Sequence, residues 1–108
     1  GDPAAALATG CRAVLCKGGH GSGPTSVDVL VQAGGEHRWE RPRRDVGAVR
    51  GTGCRLATAI AAHLAGGLDL AAACARAGDE LAGALAALGP PPADGLPRGL
   101  SLRDWPRT

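Results

Sequence analysis

The chain has 108 residues and a formal net charge of +2, a balance too mild for a nucleic-acid-binding or polybasic membrane protein. Its aromatic residues are two Trp, with no Phe or Tyr, so a platform for stacking bases is hard to build. No apolar run approaches the roughly 18 residues that a membrane span requires, and no signal peptide is visible; these features predict a soluble, cytoplasmic protein.

Eighteen Gly and eight Pro approach the low-complexity border, but the apolar residues stay periodic, which argues against disorder. A core of Ala, Val and Leu buries little area per side chain, so a unit of this size is expected to be marginal alone, as a fragment of a larger domain would be. The four Cys form no C-x-x-C pair and no disulfide framework. Cys11, Cys16 and His20 are separated by five and four residues, which fits no common zinc motif, and no metal site is expected.

Residues 3–9 read as a helix end, with Gly10 as its stop. Ala13-Val14-Leu15-Cys16 is long enough for a buried strand. Residues 17–24 are an irregular, Gly-rich loop. Residues 27–31 form a second strand and residues 37–41 a third; a turn between them predicts an antiparallel hairpin. Residues 42–50 are a polar connector. From Thr52 the period changes. Leu56, Ile60 and Leu64 recur every four residues, the signature of one helix face, and Gly66-Gly67 ends it. Asp69 is a candidate N-cap for a second helix, in which Leu70, Cys74, Ala77, Leu81, Leu85 and Leu88 recur at helical spacing before Gly89-Pro90. Residues 93–108 show no period and read as an irregular tail.

Gly51-Thr52-Gly53-Cys54 stands where the connector becomes a helix. Two glycines let the backbone turn tightly and approach a ligand, and the first helical turn offers unpartnered N–H groups in a positive dipole field. That combination suits a phosphate, and the same field favours a thiolate at Cys54. The thiolate could act as general base on a substrate hydroxyl while the amides hold the charge of a transferring phosphoryl group. A plain Gly-rich helix start with a buried Cys explains the spacing too. Lys17, the single lysine, ends a strand and enters Gly18-Gly19, where a compact ammonium suits a polyphosphate; a solvated strand-end lysine is the competing reading. Arg41, Arg43, Arg44 and Arg50 make a basic connector running into residues 51–54, as phosphate contacts or as a solvated loop.

Val14-Leu15-Cys16-Lys17-Gly18-Gly19-His20, then Asp28-Val29-Leu30, Arg41-Pro42-Arg43 and Gly51-Thr52-Gly53-Cys54-Arg55-Leu56-Ala57 occur in this order. The chain, over about residues 8–88, resembles the C-terminal half of the hydroxymethylpyrimidine/phosphomethylpyrimidine kinases of thiamine biosynthesis, in the ribokinase-like superfamily. The Cys discriminates, since sugar kinases and most pyridoxal kinases of the superfamily carry Asp there. The resemblance implies a three-layer α/β/α fold with a mainly parallel sheet, of which residues 1–92 would be the nucleotide and phosphoryl-transfer part and residues 93–108 an irregular tail. It implies a phosphotransferase that uses ATP and Mg2+. Gly51, Thr52 and Gly53 would form the anion hole and Cys54 the catalytic base. Lys17 would contact phosphate, with Gly19 and His20 in the loop near the nucleotide; Arg50 is a candidate phosphate contact from its place in the basic connector alone.

The chain departs from the family pattern at Val49-Arg50, where Thr-His is usual, and at Arg55, where Thr commonly follows the Cys. Family enzymes are also considerably longer, and their N-terminal half supplies most pyrimidine contacts. The implied partners are therefore a small-molecule substrate, together with a missing N-terminal half or a second copy. Two other functions compete. One is a related ribokinase-like kinase such as a pyridoxal kinase, separable by a substrate panel. The other is a non-catalytic remnant or anion-binding module.

Overall fold

A computed structural model of the chain describes residues 10, 12–18, 23–47 and 49–100. The expected helix end at residues 3–9 lies outside them, as do Cys11, Gly19 and His20. The chain divides into two compact units, Gly1–Arg43 and Arg44–Thr108.

The first unit carries a three-stranded sheet of β1 (Ala13–Cys16), β2 (Thr25–Gln32) and β3 (Gly35–Pro42), in that spatial order. Val27, Val29 and Val31 are β-branched residues that suit a pleated surface. Gly34, at φ 95°, takes the left-handed conformation that turns β2 into β3, and Gln32 pairs with Gly35 across the turn. The hairpin is the one the sequence predicts, but both strands run further, because ladder pairing continues past the last apolar residue.

Both strand pairs are antiparallel. The mainly parallel sheet implied by the family resemblance is not what these strands form, and the connections explain why. A parallel crossover takes about a dozen residues or more, whereas short links leave only the antiparallel arrangement. Register puts Leu15, Leu30 and His37 in one cross-strand row, and Asp28 opposite Trp39 on the same face. Leu30 is 1% exposed and Asp28 6%, so this face of β2 is buried and includes a carboxylate.

In the second unit, β4 (Val49–Arg50) leads into α1 (Thr52–Ala65); α2 (Leu70–Leu88) follows, and β5 (Arg98–Gly99) pairs with β4 in parallel. Asp69 caps α2 as the sequence predicts: its Oδ1 accepts from the Ala72 N–H at 2.8 Å. The helices pack on each other through small residues. Leu56 and Ala59 of α1 are buried, as are Ala73, Cys74, Ala77, Leu81 and Ala84 of α2. His63 of α1 hydrogen-bonds Glu80 of α2, which gives that buried carboxylate the partner it needs.

Residues 98–100, within the stretch read as an irregular tail, take part in this unit. Arg98 donates from Nη1 to the Leu88 carbonyl at 2.6 Å, and from Nη2 to the carbonyls of Gly89 and Val46. A cation on the last carbonyls of α2 satisfies acceptors that have no intrahelical donor and complements the dipole. The Leu100 N–H donates to the Arg50 carbonyl at 3.1 Å, and Leu100 is buried. A strand of two residues leaves no periodic trace, so only its pairing reveals it. No described helix is long and apolar enough to cross a membrane.

Candidate functional site

The expected anion hole is a single turn. Gly51 precedes α1 with φ 86° and ψ 5°, a left-handed conformation that costs any other residue about 1–2 kcal/mol. β4 and its pairing with β5 hold the approach to this turn. The first intrahelical bond of α1 runs from the Arg55 N–H to the Gly51 carbonyl at 3.0 Å. The amides of Thr52, Gly53 and Cys54 therefore precede the helical ladder and point out of the helix start. Gly51, at the N-cap, has no side chain to cap them, and no acidic residue stands in the first turn. Helix starts of this kind are suited to anions, because the dipole places partial positive charge there.

Gly53 differs from Gly51. Its φ is not in the left-handed region, and a Cβ built there meets no atom within 4 Å. Neither backbone strain nor packing calls for glycine at this position.

Cys54 is exposed at the third residue of α1, and its carbonyl accepts from Thr58 Oγ1 at 2.8 Å. The reading of a buried Cys at this helix start is set aside by that exposure. Cys74 is the contrasting thiol: it is buried in α2, and burial pushes its pKa up by disfavouring the charged form. A free thiolate is therefore disfavoured at Cys74, while solvent reaches Cys54.

Lys17 belongs to the first unit, whereas Arg50 and residues 51–54 belong to the second. The Lys17 Nζ donates to Asp28 Oδ2 at 2.7 Å, and its side chain is 40% exposed. The arginines of the connector separate into two kinds. Arg41 donates to the same Asp28 oxygen at 3.1 Å. Arg43 donates to the carbonyls of Gly18, Gly23 and Thr25, binding the chain on both sides of residues 19–22. Arg44 and Arg50 are exposed. Two of the four proposed phosphate contacts thus act on the protein itself.

Sequence reasoning missed Asp28, Arg43 and Arg98 as organising residues. Asp28 left one trace, a charge inside a run of valines. Arg43 was read as part of the basic connector and Arg98 not at all, since the partners of both are backbone carbonyls that carry no sequence signature.

A mixed α/β chain with an uncapped, glycine-rich helix start is suited to holding a phosphate. The family model for phosphomethylpyrimidine kinase matches residues 3–92, and the chain belongs to that family. It is 43% identical over 84 residues to a hydroxymethylpyrimidine/phosphomethylpyrimidine kinase of Streptomyces coelicolor, covering 78% of this chain and 31% of the relative. It is 48% identical over 58 residues to the protein of the same name from Salmonella typhimurium, covering 54% and 22%. It is also similar to the thiamine biosynthesis bifunctional protein ThiED of Geobacter sulfurreducens, at 47% identity over 68 residues, covering 63% and 14%. The chain spans less than a third of the length of these relatives.

Proposed function

We propose that the chain is the nucleotide and phosphoryl-transfer part of a cytoplasmic kinase that phosphorylates hydroxymethylpyrimidine and then its monophosphate, with ATP as donor, in thiamine biosynthesis. Family membership and the names of the relatives support the substrate class. The observation that carries the reading on this chain is the start of α1, where Gly51 is left-handed, the first helical bond begins only at Arg55, and a Cβ at Gly53 would meet no atom within 4 Å.

The amides of Thr52, Gly53 and Cys54 would hold the negative charge of the phosphoryl group in transfer. Cys54, as thiolate, would take the proton of the substrate hydroxyl as its oxygen bonds to the γ-phosphorus and the bond to the bridging oxygen breaks, releasing ADP. Lys17 and Arg50 would contact the nucleotide phosphates, with Gly19 and His20 nearby. Mg2+ commonly binds through nucleotide phosphates with only one or two carboxylates. Among the described residues no group of three or more His, Cys, Asp or Glu could hold a metal, and no residue of this chain is assigned to it. Most pyrimidine contacts would come from additional sequence of the kind the relatives carry, or from a second copy. The same sequence would add the parallel strands of a three-layer ribokinase-like fold.

Gly53→Ala tests this reading. Ala at a compatible helical position stabilises by about 0.4–1 kcal/mol. The substitution is expected to raise the urea midpoint and yet weaken ATP binding about tenfold or more, because the new methyl occupies the approach to the amides. A stabilised protein with unchanged ATP affinity would show that the space serves no ligand.

A further inference from the structure

Asp28 is a carboxylate on the buried face of the three-stranded sheet, where an unpaired charge is costly. Strand register explains its pairing. Cys16 lies opposite Val29, so Lys17 leaves β1 beside Asp28. Trp39 lies opposite Asp28 and Ser26 opposite Arg41, which makes Arg41 its diagonal neighbour. Asp28 Oδ2 accepts from Lys17 Nζ at 2.7 Å and from Arg41 Nη1 at 3.1 Å, while Oδ1 accepts from the Gly18 N–H at 3.1 Å. One anion thus holds two cations and the amide of the Lys17-Gly18 turn.

The three side chains together keep a net positive charge. The Arg41 side chain is only 14% exposed and that of Asp28 8%, against 40% for Lys17. Lys17 is the more exposed of the two cations, and its ammonium has three N–H groups. A lysine stem is flexible, and binding through it normally requires ordering it at that moment. Here the bond to Asp28 gives the ammonium a fixed partner at the end of that stem.

We propose that Asp28 is a positioning residue for phosphate recognition, fixing the Lys17 ammonium so that its remaining N–H groups can meet phosphate oxygens. The inference rests on the reading of Lys17 as a phosphate contact. Arg41 completes the arrangement by sharing the carboxylate, so that Asp28 orients Lys17 without neutralising the cluster.

The test uses the 108-residue chain with isotope-labelled lysine and inorganic pyrophosphate as probe; Lys17, as the single lysine, gives one side-chain signal. In the wild-type chain, before pyrophosphate is added, the Lys17 ε-methylene is expected to relax as an ordered group. Pyrophosphate is then expected to shift its signal. Asp28→Asn is expected to release that side chain into fast motion and to weaken pyrophosphate binding about tenfold, the loss expected for one misplaced charge-assisted contact. Lys17→Met is expected to weaken binding by itself, and adding Asp28→Asn should cost nothing further, since both act through one contact. Additive losses would overturn the proposal. So would a Lys17 signal in the wild-type chain as mobile as that of free lysine, a result that needs no variant and stands even if Asp28→Asn fails to fold. If Lys17→Met binds pyrophosphate as tightly as wild type, the phosphate role of Lys17 fails, and the positioning role fails with it.

Discussion

Cys54→Ala is expected to lower kcat by about 10²–10⁴-fold, the usual contribution of a positioned general base. The enzyme assayed must contain this chain, whether full-length or reconstituted. ATP affinity is expected to change little. The thiol is exposed in the first turn of α1, so its removal opens no cavity, and Ala is the best helix former. The backbone amides of Thr52, Gly53 and Cys54 stay in place, so an anion can still bind. A loss confined to kcat marks an interaction made in the transition state alone. Cys74 cannot substitute, because it is buried and its raised pKa disfavours the thiolate. Unchanged turnover in Cys54→Ala would remove the proposed base; an equal loss of ATP affinity would point instead to a damaged helix start.

Gly18→Ala is expected to destabilise the three-stranded sheet by about 3 kcal/mol or more, in the range of overpacking that meets rigid atoms. A Cβ at Gly18 would lie 2.1 Å from the Val27 carbonyl oxygen and 2.7 Å from its nitrogen. Both are backbone atoms of a paired strand, and neither can rotate away. Relief requires the ends of β1 and β2 to separate, which also breaks the bond from the Gly18 N–H to Asp28. Urea denaturation should show the loss of stability, and amide exchange should rise over residues 25–32. Gly53→Ala provides the contrast, since the same methyl meets open space there and is expected to stabilise the chain. A Gly18→Ala protein as stable as wild type would mean that the close approach of Gly18 to Val27 does not constrain the sheet.

The helices were legible because their signals are local. Leu56, Ile60 and Leu64 fix one face of α1, and Asp69 and Gly89 bracket α2; the structure places α1 at Thr52–Ala65 and α2 at Leu70–Leu88. The hairpin was legible for the same reason, through alternating valines and a Gly-containing turn. The partner of β1 was not, because nothing in Ala13-Val14-Leu15-Cys16 says which strand it will pair with or in which direction. The parallel expectation came from the family resemblance, and the described strands pair antiparallel except for β4 and β5. Strands of two residues, as β4 and β5 are, have no period to read.

The candidate site divides along the same line. Residues 51–54 were readable as a glycine-rich helix start because that signal depends on adjacent residues. The setting of Lys17 was not, because its contact with Asp28 depends on the register of β1 against β2. Asp28 alternates with Val27 and Val29 on a strand with apolar residues on both faces, so the sequence does not tell which face is buried. Arg43 and Arg98 illustrate a harder case. Their donors meet the carbonyls of Gly18, Gly23 and Thr25 and of Leu88, Gly89 and Val46, groups that every residue possesses.

An amide-correlation NMR spectrum of the chain, titrated with magnesium-ATP, asks most directly whether the Gly-rich turn and the Lys17 cluster hold nucleotide phosphates. Dispersed peaks are expected, with shifts concentrated at Gly51, Thr52, Gly53 and Cys54 and around Lys17 and Gly18. A dispersed spectrum in which those amides stay still as ATP is added would contradict the nucleotide site.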